Sequence, residues 1–270
     1  MDSLKDILAR LPKLAVAFSG GLDSRFLCAS CLAEGHDILA VHITGPHIPA
    51  AETGGARDFA EAMNLPYAEI EMDPLTVPEV AFTSPRRCYF CKKNLMRGIR
   101  ERLAAMGEGG RLLCDGSNAD DQSKYRPGLR ALAEEHVLSP LAEAGLTKAE
   151  ITRRAQAMGF PLPAEKARPC LLTRYDYGLE VRRDELHRLE LAEAELFALA
   201  DGSGRRLLDD FRLRLTPAPL LQVLDWREEW LGPVRSVLER HGFAPFTILR
   251  TETISGYFDA ADRKPATRPA

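Results

Sequence analysis

The sequence predicts an α/β protein: a parallel sheet with helices on both faces, followed by a smaller C-terminal α+β domain. Three observations carry this. Short apolar runs of strand length alternate with segments of helical spacing through the first part of the chain, the order that builds parallel sheets. The first such run, LAVAF at 14–18, feeds directly into SGGLDS at 19–24, a strand-to-helix turn. Finally, GFPLPAEKARP at 159–169 carries three prolines, through which neither helix nor strand continues. A boundary is expected there, with residues 1–160 as the first domain, 161–260 as the second and 261–270 as a loose tail.

The elements follow in order. MDSLKDILARLPK is a short amphipathic segment without the apolar core of a signal peptide. Leu14–Phe18 has the length of a buried strand. Residues 23–35 carry helical spacing through Phe26, Leu27, Cys31 and Leu32, with Gly35 as the stop. Asp37–Thr44 is a second strand, residues 54–64 a helix and Tyr67–Met72 a third strand. Ser84-Pro85 starts a helix with Leu95, Ile99, Leu103 and Met106 on one face; Arg111–Cys114 is a strand leading into DGSNADD. Thr147-Lys148-Ala149-Glu150 has capping-box spacing and opens a helix to about Met158. Past the boundary, 184–200 is helical, with Leu186, Leu189, Leu196 and Leu199 along one stripe. In DDFRLRL, Phe211, Leu213 and Leu215 alternate with Arg212 and Arg214, which is strand period.

The net charge of −3 gives no global reason to expect a nucleic-acid partner. No apolar stretch approaches the ~20 residues that span a bilayer, so a cytoplasmic protein without membrane contact is expected. In a reducing compartment the six cysteines (Cys28, Cys31, Cys88, Cys91, Cys114, Cys170) point to metal binding, catalysis or burial rather than disulfides. Cys28, Cys31 and Cys114 have apolar neighbours and read as core. His42 and His47 fall at the second strand with no role fixed.

A strand that feeds glycines into a helix N-terminus presents free amides and the positive end of the helix dipole, both of which favour an anion. Gly20 and Gly21 permit close approach, Ser19 and Ser24 add hydroxyls, and Asp23 can hold Mg²⁺ or cap the helix. No Walker-type lysine is present. SGGLDS resembles the pyrophosphate-binding loop of the PP-loop ATP pyrophosphatases, which cleave ATP between the α and β phosphates. That likeness implies a Rossmann-like adenine nucleotide alpha hydrolase fold. Arg25, after the motif, either reaches phosphate or faces solvent.

Four further stretches narrow the resemblance: RRCYFCKKNL, DGSNADDQSKYRPGLRAL, SPLAEAGLTKAEI and EKARPCLLTRYDYG. Together they are similar to the LarE family, over roughly residues 14–215. These enzymes are ATP-dependent sulfur transferases of nickel-pincer cofactor synthesis. The resemblance implies adenylylation of a carboxylate of pyridinium-3,5-biscarboxylic acid mononucleotide, then sulfur insertion. It places the sulfur-carrying cysteine at Cys170, a helix glutamate at Glu193 as base or orienter, and Arg174 just after the cysteine. It further implies a homo-oligomer, trimer or hexamer, acting on a small-molecule nucleotide. In one branch the cysteine gives up its own sulfur; in another, three cysteines, matched here by Cys88, Cys91 and Cys170, hold a [4Fe–4S] cluster. Burial beside a helix and zinc remain alternatives for the Cys-x-x-Cys pair.

Asp115 and the Asp120-Asp121 pair follow a strand on the edge where ligands gather. Asp120 is a nucleotide candidate and Asp121, with Asp23, a Mg²⁺ candidate. Arg126 could meet phosphate. Arg212 and Arg214 project from one strand face about 7 Å apart, which suits a substrate phosphate or carboxylate pair; the other reading is a solvent face. Departures from the family pattern, Lys166-Ala167 and TPAPLLQV after Arg214, bear on the substrate more than on the ATP chemistry. A tRNA-thiolating PP-loop enzyme and a non-catalytic ATP-binding protein are the competing readings.

Overall fold

Residues 14–17 form a continuous apolar run in Lys13–Ala17 (β1), and both sides of the strand are used: Leu14 and Val16 enter one core, Ala15 the other. The structure is a computed structural model that describes residues 2–122, 127–159 and 170–259. The chain divides into two units, Met1–Val80 with Arg86–Pro169, and Ala81–Pro85 with Cys170–Ala270.

In the first unit, β1, β2 (Asp37–Thr44), β3 (Tyr67–Glu71) and β4 (Leu112–Asp115) form a parallel sheet in the order β3-β2-β1-β4. One face packs on α1 (Leu4–Leu8), α2 (Leu22–Ala33), α3 (Ala50–Ala62) and α9 (Lys148–Ala157), through Leu4, Phe26, Leu27, Phe59 and Ile151. The other face packs on α5 (Arg87–Ala105) and α7 (Pro127–Glu134), through Met96, Ile99, Leu103 and Leu132. Shorter helices are α4 (Pro78–Ala81), α6 (Ala119–Gln122) and α8 (Pro140–Glu143). Helices therefore cover both faces, as the alternation of segments predicts. The strand order reverses between β1 and β4, so their carboxyl ends flank the switch point where open α/β sheets bind ligands.

The second unit holds β5 (Phe211–Leu215), β6 (Pro219–Val223) and β7 (Thr247–Arg250). β5 and β6 pair antiparallel, and β6 and β7 pair parallel across α11 (Leu231–Arg240). The helix α10 (Arg183–Ala198) buries Leu186, Leu189, Ala192, Glu193 and Leu196. Among the described residues no helix is long and apolar enough to cross a membrane.

Several expected boundaries move. Helix α3 starts at Ala50 rather than 54, with Pro49 at its cap; Gly54-Gly55 masks its first turn in the sequence. Helix α5 starts at Arg87 rather than at Ser84-Pro85. The residues before it are committed elsewhere: Thr83 has φ +44, and its hydroxyl donates to the carbonyls of Asp176 and Leu179 at 2.7 and 2.8 Å. The Thr147 capping box forms only by half. Thr147 accepts from the Glu150 amide at 3.3 Å, but the Glu150 carboxylate is taken by Arg153 and Arg154. The proline-rich boundary, from 160 onward, and the tail 261–270 lie outside the described residues.

Candidate active site

The turn after β1 is built by glycine and serine acting together. Gly20 has φ +76, a left-handed conformation, and a Cβ there would stand 2.9 Å from the Ala56 Cβ of α3. Gly21 occupies the N-cap of α2 without a side-chain cap, leaving the first amides of the helix for an anion. Ser24 donates to the Gly21 carbonyl at 3.0 Å and meets the Ser19 hydroxyl at 3.2 Å; the Gly21 amide donates to Ser19 Oγ at 3.3 Å. The loop after β4 presses against this turn, since a Cβ at Gly116 would sit 2.8 Å from the Ser24 amide nitrogen.

Carboxylates converge here, each with a partner. Both oxygens of Asp23 accept from Lys148 Nζ at 2.8 Å, and Asn118 Nδ2 approaches one of them at 3.4 Å. Asp120 accepts from the Lys148 amide at 2.8 Å, and Asp121 from the Asn118 amide at 3.3 Å. Asp115 is buried, accepting from the hydroxyls of Ser117 and Ser139 at 2.7 and 2.8 Å. Arg25 neither points to the anion site nor faces solvent as expected. Its Nε donates to the Gly20 carbonyl at 2.5 Å and its Nη2 to the Gly55 carbonyl at 2.8 Å.

In the second unit Cys170 caps a short 3₁₀ turn, Leu171–Arg174, and is half-buried. Its carbonyl accepts from the Thr173 hydroxyl at 2.8 Å and from Arg174 Nη1 at 3.3 Å. Arg174 is wholly buried and forks onto Glu193 at 3.0 and 2.7 Å, while Glu193 Oε1 also accepts from the Leu213 amide at 3.0 Å. Burial, the largest single influence, would raise the Glu193 carboxyl; the Arg174 guanidinium, with the Leu213 amide and Arg212, outweighs it and holds the group below the ordinary carboxylate value. Arg214 donates to the carbonyls of Thr173 at 2.8 Å and Ile254 at 2.6 Å, and to Gln222 Oε1 at 2.9 Å. Burial, then the Arg174 and Arg212 charges, push Arg214 down to about 9. Arg212 is half-buried and donates to Asp210 at 3.0 Å. Two arginines thus pin the turn that begins at the cysteine.

No protein-family model matches the chain. An uncharacterized protein of Synechocystis is 28% identical over 92% of each chain. An uncharacterized protein of Methanocaldococcus jannaschii is 30% identical over 72% of this chain and 73% of its own. The pyridinium-3,5-bisthiocarboxylic acid mononucleotide synthase of Lactiplantibacillus plantarum, which is LarE, is 28% identical over 73% of this chain and 70% of its own. The chain belongs to the LarE/PP-loop superfamily of ATP-dependent sulfurtransferases.

Of the candidate site residues, Ser19, Gly20, Gly21, Asp23, Ser24, Asp120 and Asp121 gather at the β1 and β4 ends of the first unit. Cys170, Arg174, Glu193, Arg212 and Arg214 gather in the second. Cys88 is exposed and Cys91 half-buried on the first turns of α5, in the first unit, whereas Cys170 belongs to the second. Among the described residues no group of three or more His, Cys, Asp or Glu is arranged to hold a metal. Arg126 and Lys166-Ala167 lie outside the described residues. Cys28, Cys31 and Cys114 are buried, and burial pushes the Cys31 thiol up to about 12.

Sequence reasoning missed Lys148 as a site residue. It stands in GLTKAE, one of the LarE-like stretches, yet it read only as the second position of a cap.

Proposed function

We propose that this chain adenylylates a carboxylate of pyridinium-3,5-biscarboxylic acid mononucleotide and then inserts sulfur at the activated carbon through Cys170. The observation that carries the ATP half is the uncapped N-terminus of α2 behind Gly20-Gly21, with Lys148 alongside at Asp23. Amides and an ammonium there suit the β and γ phosphates as they leave together as pyrophosphate. The substrate carboxylate attacks the α phosphate, giving an acyl-adenylate, and a sulfur nucleophile displaces AMP. Arrival of ATP with Mg²⁺ offers Lys148 a phosphate partner and Asp23 or Asp121 a metal, in place of their present contacts.

For the sulfur half, the reading rests on Cys170 as a half-buried thiol at the start of a turn held by buried charge. Glu193 serves as orienter of Arg174, since both its oxygens are engaged. Arg212 is proposed to meet the substrate's phosphate or carboxylate. The sulfur is either that of Cys170 itself, leaving dehydroalanine, or a sulfide on a [4Fe–4S] cluster held by Cys88, Cys91 and Cys170. The thiolate donor chemistry suits such a cluster, but the described residues gather no three-thiol set, so no step is routed through it. A trimer or hexamer in solution completes the proposal.

The deciding experiment incubates the protein with ATP, Mg²⁺ and the pyridinium dicarboxylate nucleotide and identifies the products. AMP and pyrophosphate in equal amounts, with thiocarboxylate product, support the reading; ADP and phosphate overturn it. Iron and acid-labile sulfide in anaerobically purified protein, absent from Cys88→Ala, select the cluster. A fall in intact mass at Cys170 equal to the elements of H₂S, with the sulfur recovered in the thiocarboxylate, selects the sacrificial cysteine.

A further inference from the structure

Two side chains reach from behind the SGG turn to the same stretch of α3. Arg25 joins the Gly20 carbonyl, at 2.5 Å, to the Gly55 carbonyl, at 2.8 Å. His42 joins the Phe18 carbonyl, at 2.8 Å from Nδ1, to the Thr53 hydroxyl, at 3.2 Å from Nε2. A carbonyl can only accept, so His42 Nδ1 carries the proton and Nε2 is left to accept from Thr53. The residues at 18 and 20 are thereby tied to those at 53 and 55. The Arg25 guanidinium also lies 4.8 Å from the centre of the Phe59 ring, and Phe59 stacks on Phe18 at 6.0 Å. Gly20 is drawn so near α3 that no Cβ fits between it and Ala56.

We propose that Arg25 and His42 are positioning residues that preform the pyrophosphate loop by holding the Phe18 and Gly20 carbonyls against α3. A glycine-rich turn has no side chains to fix its peptide planes, and a plane that flips would aim a carbonyl at the bound anion instead of an amide. Each carbonyl here is engaged by a side chain that is itself bonded to α3, so the turn is set before the phosphate arrives and binding does not have to order it. The two anchors differ in kind: Arg25 forks, and His42 supplies one donor and one acceptor. Both act through the backbone they hold. The inference rests on the reading of the SGG turn as an ATP pyrophosphate site.

The test uses inorganic pyrophosphate as probe on the full-length protein. Wild type is compared with Arg25→Lys, which keeps the charge but not the fork, with Arg25→Gln, and with Thr53→Val, which removes the anchor of His42 on α3. The expected result is pyrophosphate affinity weakened about tenfold or more in both Arg25 variants and less in Thr53→Val. The KM for ATP should rise in parallel while kcat holds. Hydrogen exchange of the Gly20–Ser24 amides in the free protein should accelerate in Arg25→Lys at unchanged melting temperature. Arg25→Lys and Thr53→Val that bind pyrophosphate like wild type, with unchanged loop exchange, overturn the clamp and leave the ATP site standing. Wild type that fails to bind pyrophosphate overturns the ATP site itself, and the clamp with it.

Discussion

Lys148 at the start of α9 and Asp23 in the first turn of α2, 125 positions apart, form a two-pronged ion pair, with Nζ 2.8 Å from each carboxylate oxygen. The lysine side chain is 49% exposed, and pairs of that exposure contribute at most about 1 kcal/mol to stability. The contact matters for where it places a cation: beside a loop that carries no lysine of its own.

Lys148→Met is therefore expected to leave the melting temperature nearly unchanged and to raise the KM for ATP about tenfold. Asp23→Asn alone should also weaken ATP binding. The double variant should lose less than the sum of the two, because the residues share one contact. Initial rates of pyrophosphate release across ATP concentrations make the measurement; strict additivity would show that the pair is incidental.

Cys170→Ser should separate the two halves of the reaction. Pyrophosphate release from ATP and the dicarboxylate continues near the wild-type first-turnover rate, while thiocarboxylate formation disappears. Loss of both activities would place the cysteine in nucleotide binding instead.

Glu193→Ala leaves the buried Arg174 without its carboxylate, and breaking a buried pair costs about 3–5 kcal/mol. Urea unfolding measures it. The pH dependence has a definite sign. The folded carboxyl lies below the ordinary glutamate value, so the unfolded chain takes up this proton first as pH falls. Its contribution to stability is complete above the ordinary value and is lost as pH drops through the folded one. Glu193→Gln should flatten that acid limb.

Gly20→Ala places a Cβ where Ala56 already stands, at a φ of +76. The strain is expected to cost about 1–2 kcal/mol and to displace the loop, so ATP affinity should fall more steeply than stability. Gly35→Ala shares the left-handed backbone, with φ +73, but meets nothing within 4 Å. It serves as the control, costing stability alone.

Much of the first unit was legible because β1, β2 and β4 are mainly apolar runs and α2 and α5 carry helical spacing, whereas β3, YAEIE, is mostly polar. Leu14, Val16 and Phe18 sit in one core and Ala15 in the other, as the alternation requires. The second unit was less legible. PLLQV in β6 is buried along almost its whole length and shows no period, and TILR in β7 is only four residues long. Of the site, the SGG turn is a local pattern and could be read directly. Its partners could not, because Lys148, Gly55 and Thr53 reach it only through the fold. Arg174 and Glu193 could be picked out through a family pattern, but their mutual burial, which decides what Glu193 can do, is a property of packing.

The segment Ala81–Pro85 belongs to the second unit although it precedes α5 of the first. A fragment beginning at Cys170 would lack the Thr83 hydroxyl that holds two carbonyls of the 176–179 stretch. Cutting the gene there should yield an incomplete product, prone to aggregate, whereas grafting the five residues onto that fragment restores the missing hydroxyl. During synthesis, too, the later half of the polypeptide must return to a piece made long before it, so the second unit draws on two separate stretches of the chain.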